Sequence, residues 1–414
     1  MADAAPPPAT SLLNERDYIL FWVCRFAGNL AVSIESVALG WQIYALARRS
    51  LDVQHSAFLV GMVGLAAFAP LFLLALPAGE TADRHNRKLI LRLCYAAEAI
   101  VAAGFALASH LHLASTTLLL VGAVVFGASR AYMQPANTAL GPTLVPRELL
   151  PRSIAWNSLA GQTAGIVGPA LGGILVSLSP TLAYGTSATL FIVSALATFA
   201  IRKNAPPVVH TLSRVALIKQ GLVYVWENRI VFGAISLDLF AVLLGGATAL
   251  LPVFARDVLH VGASGFGILR TGPAIGAAAV ALTLASRPIR HRAGLTMFAG
   301  VAVFGLATIV FAVSRSLWLS VAALAVLGGA DMLSVFVRQT LVQLVTPDPM
   351  RGRVAAVSTL FISASNELGE FESGVVARFL GPVGAAIFGG VGALIVTGVW
   401  AKHFPALRKA DRLA

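Results

Sequence analysis

Apolar runs, each about as long as a helix that crosses a bilayer, recur along the chain and are separated by short polar breaks. A hydrocarbon core about 30 Å thick needs roughly 20 apolar residues in helix, and such runs lie near 17–46, 56–79, 88–109, 114–138, 153–178 and 183–201. A polar interval over 202–229 then carries Arg202, Lys203, Arg214, Lys219 and Arg229 around a Pro206-Pro207 break. It reads as a linker with an amphipathic, surface-lying portion. Six more runs follow near 230–255, 264–286, 294–313, 317–341, 354–377 and 383–403. The pattern predicts an all-α integral membrane protein of twelve transmembrane helices in two six-helix bundles, 17–201 and 230–404, with polar tails at 1–16 and 405–414.

Composition agrees, since 57% hydrophobic against 12% charged residues suits a lipid-facing surface and not a water-soluble domain. The formal charge of +12 gains meaning only from placement. Arg84, Arg87, Lys88, Arg147, Arg152, Arg287, Arg290, Arg292, Arg351, Arg353, Lys402, Arg408 and Lys409 collect in one set of loops and ends, together with the linker cations; the opposite loops hold Arg48, Arg49, Arg256, Arg315 and Arg378. The positive-inside bias therefore predicts both termini in the cytoplasm, in a multi-pass protein of the bacterial inner membrane. Cations spread over many short loops exclude a nucleic-acid surface and match anionic lipid. Cys24 and Cys94 both lie in apolar runs and read as small buried side chains, with no disulfide framework.

The halves repeat one another. At an offset of roughly 200 residues, Leu144-Val145-Pro146-Arg147-Glu148 aligns with Leu344-Val345-Thr346-Pro347-Asp348, and Gly127 before Arg130 aligns with Gly328 before Asp331. Duplicated halves are expected of carriers that rock around a central site.

Between the second and third spans stands Gly79-Glu80-Thr81-Ala82-Asp83-Arg84-His85-Asn86-Arg87-Lys88, which fits G-x-x-x-D-R-x-x-R-K. A tight turn at the glycine, an acid able to cap a helix N-terminus and a cluster of cations are the physical content expected of it. The segment resembles the loop signature of the major facilitator superfamily. That resemblance assigns Gly79, Asp83, Arg84, Arg87 and Lys88 to a conformational gate, pairing with the start of span eleven near Arg353. The matching segment Arg287-Pro288-Ile289-Arg290-His291-Arg292 keeps the cations but lacks the Gly and Asp. In the fifth span, Gly165, Gly168, Pro169, Gly172 and Gly173 frame G-P-x-x-G-G, similar to the motif of antiporters and exporters; small residues there permit close helix packing and Pro169 introduces a kink. Gly127-Ala128-Ser129-Arg130-Ala131, Gln134-Pro135-Ala136-Asn137, Trp41-Gln42-Ile43-Tyr44 and Leu250-Leu251-Pro252-Val253-Phe254-Ala255 extend the likeness to the enterobactin-exporter and drug-efflux branch.

Ionisable side chains inside spans are costly and so are functional candidates. They are Arg25, Glu35, Glu98, Arg130, Asp238, Arg270, Asp331, Arg338, Glu367, Glu370 and Glu372. The resemblance places spans one, four, seven and ten around the central cavity and three and eleven more peripherally. Glu35, Arg130, Asp238 and Asp331 are accordingly the first candidates for proton coupling or substrate binding, with Glu367 and Glu370 next, and Arg338, Arg270 and Glu98 read as structural ion pairs or interfacial residues. Trp41, Tyr44 and Phe240 are candidate contacts for an aromatic or cationic substrate, with ordinary lipid or core packing the commoner role for each singly. No G-x-x-x-x-G-K-[ST] phosphate loop, H-E-x-x-H or Cys/His ligand spacing occurs, so no enzyme, cofactor or metal site is expected and a proton gradient supplies the energy. The reading is a monomeric proton-coupled exporter of an amphipathic small molecule, a siderophore or drug, working by alternating access. A lipid or lysophospholipid flippase of the same fold is the alternative, and a metal or metabolite carrier the third.

Overall fold

The computed structural model describes residues 11–203, 214–287, 289 and 291–411. The first half holds α1 Arg16–Ala47, α2 Val53–Arg84, α3 Arg87–His110, α4 Thr116–Leu140, α5 Leu150–Leu178 and α6 Pro180–Ala200; the linker contributes α7 Arg214–Glu227. In the second half come α8 Arg229–Leu244, α9 Gly262–Ser286, α10 Ala293–Val313, α11 Leu317–Val345 and a long helix over Asp348–His403. Among the described residues, eleven helices are long and apolar enough to cross a membrane. The twelfth span is hidden in the long one: Gly381, at φ 73° and ψ 169°, breaks it just before Pro382. A residue with a side chain is strained at that φ, and proline after it starts a new helix without needing a donor. The two pieces, 348–380 and 382–403, are α12 and α13.

Polar residues between the apolar runs cap several of the helix starts. Asp52 accepts from His55 N at the head of α2, Ser115 from Leu118 N at α4 and Asn228 from Ile230 and Val231 N at α8. The seventh span, Arg229–Val258, is less regular, passing from α8 through a 3₁₀ turn at Ala247–Leu250 to a π turn at Phe254–Val258. The segment after α13 is not a free end as far as it is described. Leu407 is buried, and the carbonyls of Ala410 and Asp411 accept from Gly294 N and Ala293 N at the start of α10.

Packing confirms the repeat. Gly127 on α4 lies against the Ala67 backbone of α2, as Gly328 on α11 lies against Pro273 of α9. Where the halves meet, the same symmetry recurs: a Cβ at Gly61 of α2 would stand 2.7 Å from the Gly374 Cα of α12, and one at Gly173 of α5 would stand 2.5 Å from the Gly267 Cα of α9. Only glycine allows helices this close.

The hydrophobic core is forked. One cluster, with Ile34, Tyr44, Ala57, Phe254, Phe266 and Ala377, joins both halves at the end away from the termini. Near the termini the core splits. Tyr18, Phe21, Leu91 and Leu140 cluster within the first half, and Val231, Val337, Val354 and Leu407 within the second. The halves are closed at the far end and parted at the termini end.

Candidate functional site

The fork encloses a cavity of about 440 Å³. Its walls are α1 with Glu35 and Ser36, α4 with Phe126 and Arg130, α5 with Gly165 and Pro169, α9 with Arg270, and α12 with Asn366, Glu367 and Glu370. Two bonds cross it. Arg130 Nη1 meets Glu367 Oε1 at 2.7 Å, and Arg270 Nη2 donates to Ser36 Oγ at 3.0 Å. Each links one half to the other inside a water-accessible space, where an ion pair is strong enough to matter and weak enough to exchange. Span eleven is therefore not peripheral here, because the tight α2–α12 crossing at Gly61 and Gly374 draws α12 to the cavity wall.

Glu35 is 3% exposed, and its Oε2 has no hydrogen-bond partner. Behind it in the first half lie Glu98, 1% exposed with both oxygens unpartnered, and Tyr184 with an unpartnered hydroxyl. An unmet buried polar group costs about 1–3 kcal/mol. Glu98 makes no ion pair within 4 Å among the described residues; its polar neighbours are the Ser129 hydroxyl and, at longer range, the Arg130 charge.

A second cavity of about 390 Å³ opens in the other half, lined by Asp238, Thr248, Asp331, Arg338, Ser365 and others. It shares Pro273, Ala274, Asn366 and Glu370 with the first. Arg338 Nη2 stands 3.2 Å from Asp238 Oδ2, with side chains 1% and 7% exposed. The structural ion pair expected for Arg338 is thus present, and its partner is Asp238. Glu35 and Asp238, expected to face one another across one lumen, line two adjoining cavities instead.

The gate segment differs from its expectation. Gly79 is inside α2 and not at a turn; the break falls at His85 and Asn86, and Asn86, not Asp83, caps α3. Asp83 lies in the last turn of α2. Arg84 pairs with Glu80 at 2.7 Å, Arg87 Nε donates to Ala82 O at 3.2 Å, and Lys88 Nζ donates to Ile201 O at 3.1 Å. Those bonds stay within the first half, and Arg353 contacts Met350. The pairing expected across the halves from Arg84 and Arg87 is not made while they are parted. Of the matching segment in the second half, Pro288 and Arg290 lie outside the described residues.

The fifth-span motif packs on two faces at once. Gly168 and Gly172 rest on Ser33, Ile34 and Val37 of α1, Gly173 crosses α9, and Gly165 faces open space in the cavity. The three candidate aromatics make ordinary packing contacts, the commoner role for each taken singly, and do not line the cavity. Trp41 stacks on Phe266, Phe240 packs on Trp400, and the Tyr44 hydroxyl bonds to Asp257 across the far end, beside an Arg48–Asp257 pair at 3.4 Å. Asp257 is not among the sequence candidates; its only signal there is an acid closing an apolar run next to Arg256.

A family model described as a transmembrane secretion effector matches residues 9–414. The chain is 24% identical over 366 residues to the enterobactin exporter of Citrobacter koseri, covering 88% of this chain and 86% of that one. The enterobactin exporter of Escherichia coli O1:K1 gives the same identity and coverage. Among solved structures, the POT family transporter PepTSo superposes with a TM-score of 0.74 at 11% identity, over 96% of this chain and 99% of the other. A bacterial homologue of the human lysosomal transporter Spinster, in an inward-facing, occupied conformation, gives 0.71 at 16% identity over 97% of both chains. At such identities these structures speak for the fold alone, and it is the expected one.

Proposed function

Because the chain belongs to the transmembrane secretion effector family of the major facilitator superfamily, we propose that this membrane transporter is a proton-coupled exporter of an amphipathic small molecule working by alternating access. The observation that carries the reading is the charged cavity between the halves, closed at the far end and reached from the termini end, with Arg130 and Glu367 paired across it. With the termini in the cytoplasm of a bacterial cell, as the positive-inside bias argues, this is the state that loads cargo from inside. The α2–α12 and α5–α9 glycine crossings form the bearing on which the halves rock.

Coupling needs a carboxyl that gains a proton from one side and loses it to the other. Glu35 suits that role, since it lines the cavity, is nearly buried, and has an oxygen with no donor. Rocking exposes it to one aqueous side at a time. A proton entering across the membrane potential supplies about 2.3 kcal/mol per 100 mV, which drives roughly fiftyfold accumulation of one neutral molecule. When the halves close at the termini end, Arg84, Arg87 and Lys88 come within reach of the second half and hold that end shut. Relatives include proteins named enterobactin exporters, so iron-free enterobactin is the first probe.

The test uses proteoliposomes with an imposed proton gradient. Glu35→Gln is expected to abolish gradient-driven enterobactin accumulation while retaining counterflow exchange. If Glu35→Gln and Asp238→Asn both still concentrate the probe, coupling lies elsewhere. Saturable movement of lysophospholipid, and not of enterobactin, in the same vesicles would favour the flippase reading.

A further inference from the structure

Coupling at Glu35 leaves a second buried acid of the first half without a task. Glu98, on α3, is 1% exposed and lines neither cavity. The groups facing it come from α1, α4 and α6. From α1, Glu35 is near enough for the two carboxylate charges to repel each other. From α4, Ser129 presents its hydroxyl, and Arg130 its charge at longer range. Cys94 stands one turn back on α3 itself, and from α6 the Tyr184 hydroxyl, buried and unpartnered, borders Glu35. Neither acid makes an ion pair within 4 Å among the described residues, and Arg130 is committed to Glu367 at 2.7 Å.

The bundle does not need an acid there in order to pack. In the second half α10 holds the place of α3, following α9 as α3 follows α2, and from Ala293 to Val313 it has no ionisable side chain. A buried carboxylate without a counter-ion costs stability, so an acid kept in only one copy of the repeat calls for a use. Two such carboxyls side by side cannot both stay ionised, and the pair is stable only while it holds a proton.

We infer that Glu98 is a second proton carrier behind Glu35, so that two protons move for each cargo molecule. With no opening of its own to the cavity, Glu98 exchanges only through its neighbour. Glu35 gives its proton to cavity water, takes the Glu98 proton in its place and gives that up too; the same steps run backwards on loading. Leaving both acids ionised needs a counter-charge, and Arg130, next to Ser129 in the chain, supplies it once the bond to Glu367 opens. A second carrier presupposes proton coupling at Glu35 and has its own consequence: loss of Glu35 stops both protons, whereas loss of Glu98 stops one.

The test is the cargo gradient that a proton gradient can hold. Proteoliposomes containing the full chain are given a pH difference of one unit, with the membrane potential clamped at zero by potassium and valinomycin. The ratio of iron-free enterobactin across the membrane at which net flux vanishes is then read. Each proton exchanged raises that ratio about tenfold per pH unit, so about hundredfold is expected for the parent and for Glu98→Asp, and about tenfold for Glu98→Gln. Infrared spectra in nanodiscs at neutral pH, which need no transport, should show a protonated-carboxyl stretch that Glu98→Gln removes. A parent at the one-proton ratio, a two-proton ratio that survives in Glu98→Gln, or an infrared band unchanged by that substitution overturns the inference while leaving coupling intact. A parent that holds no cargo gradient at all overturns coupling itself, and the second carrier with it. Should Glu98→Gln fail to fold, the parent ratio decides.

Discussion

The two halves share a helix order and a packing scheme but handle charge in opposite ways. In the first, the cation Arg130 is 40% exposed, reaches into the cavity and finds its acid, Glu367, on the other half. In the second, Arg338 is buried within its own bundle against Asp238. A pair between halves must break when they separate; a pair within one half travels with it. The first kind suits a moving contact and the second a fixed one, and the repeat lets that difference be seen against a common background.

Replacing Arg338 should have the largest effect. Arg338→Met leaves Asp238 buried without its counter-charge, and loss of one partner of a buried pair costs about 3–5 kcal/mol. Thermal unfolding in detergent should show a clear drop, and the double variant Asp238→Asn with Arg338→Gln should recover part of it. If Arg338→Met melts like the parent, the pair is not structurally important to the second half.

The crossing glycines come next. Gly173→Val places methyl groups where a Cβ already stands 2.5 Å from the Gly267 Cα, so overpacking of about 1–3 kcal/mol is expected, together with loss of transport. Gly165→Ala, in the same motif but facing open space, should do neither. Equal effects at the two positions would mean that the motif acts through something other than its contact with α9.

Arg130→Gln should cost little stability, about 0–1 kcal/mol for a partly exposed pair, yet slow transport strongly because the contact between halves is lost. The smallest change in folding is expected of Asp83→Asn, at the end of α2. Surface expression should be unchanged while the transport rate falls; an unchanged rate would reduce the cationic segment to a topological signal.

The spans are legible in the sequence because bilayer thickness sets their length, and the candidate site is legible as a set of costly charges. Their pairing is not. Helices apolar on every face give no clue to their rotation, so nothing local joins Arg130 to Glu367 or separates Trp41 and Phe240 from the cavity. The Gly381-Pro382 break is readable as the end of a span, but not as a kink between two helices in continuous contact. The gate segment departs from its expected detail for a similar reason: a glycine beside charged residues suggests a turn, whereas the apolar run of α2 carries the helix through Gly79 as far as Arg84. Glu98 beside Ser129 and Asp257 across the far end depend on tertiary neighbours that no spacing encodes.

Opening of one cavity at alternate ends, by rocking of these halves, is tested most directly by spin-label distances between cysteines introduced at Ser50 and His260 at the far end and at His85 and Arg351 at the termini end. On lowering the pH in lipid nanodiscs, the first distance should lengthen and the second shorten together, in one two-state shift. Distances that change in the same direction, or that change at one end only, would contradict alternating access by this chain.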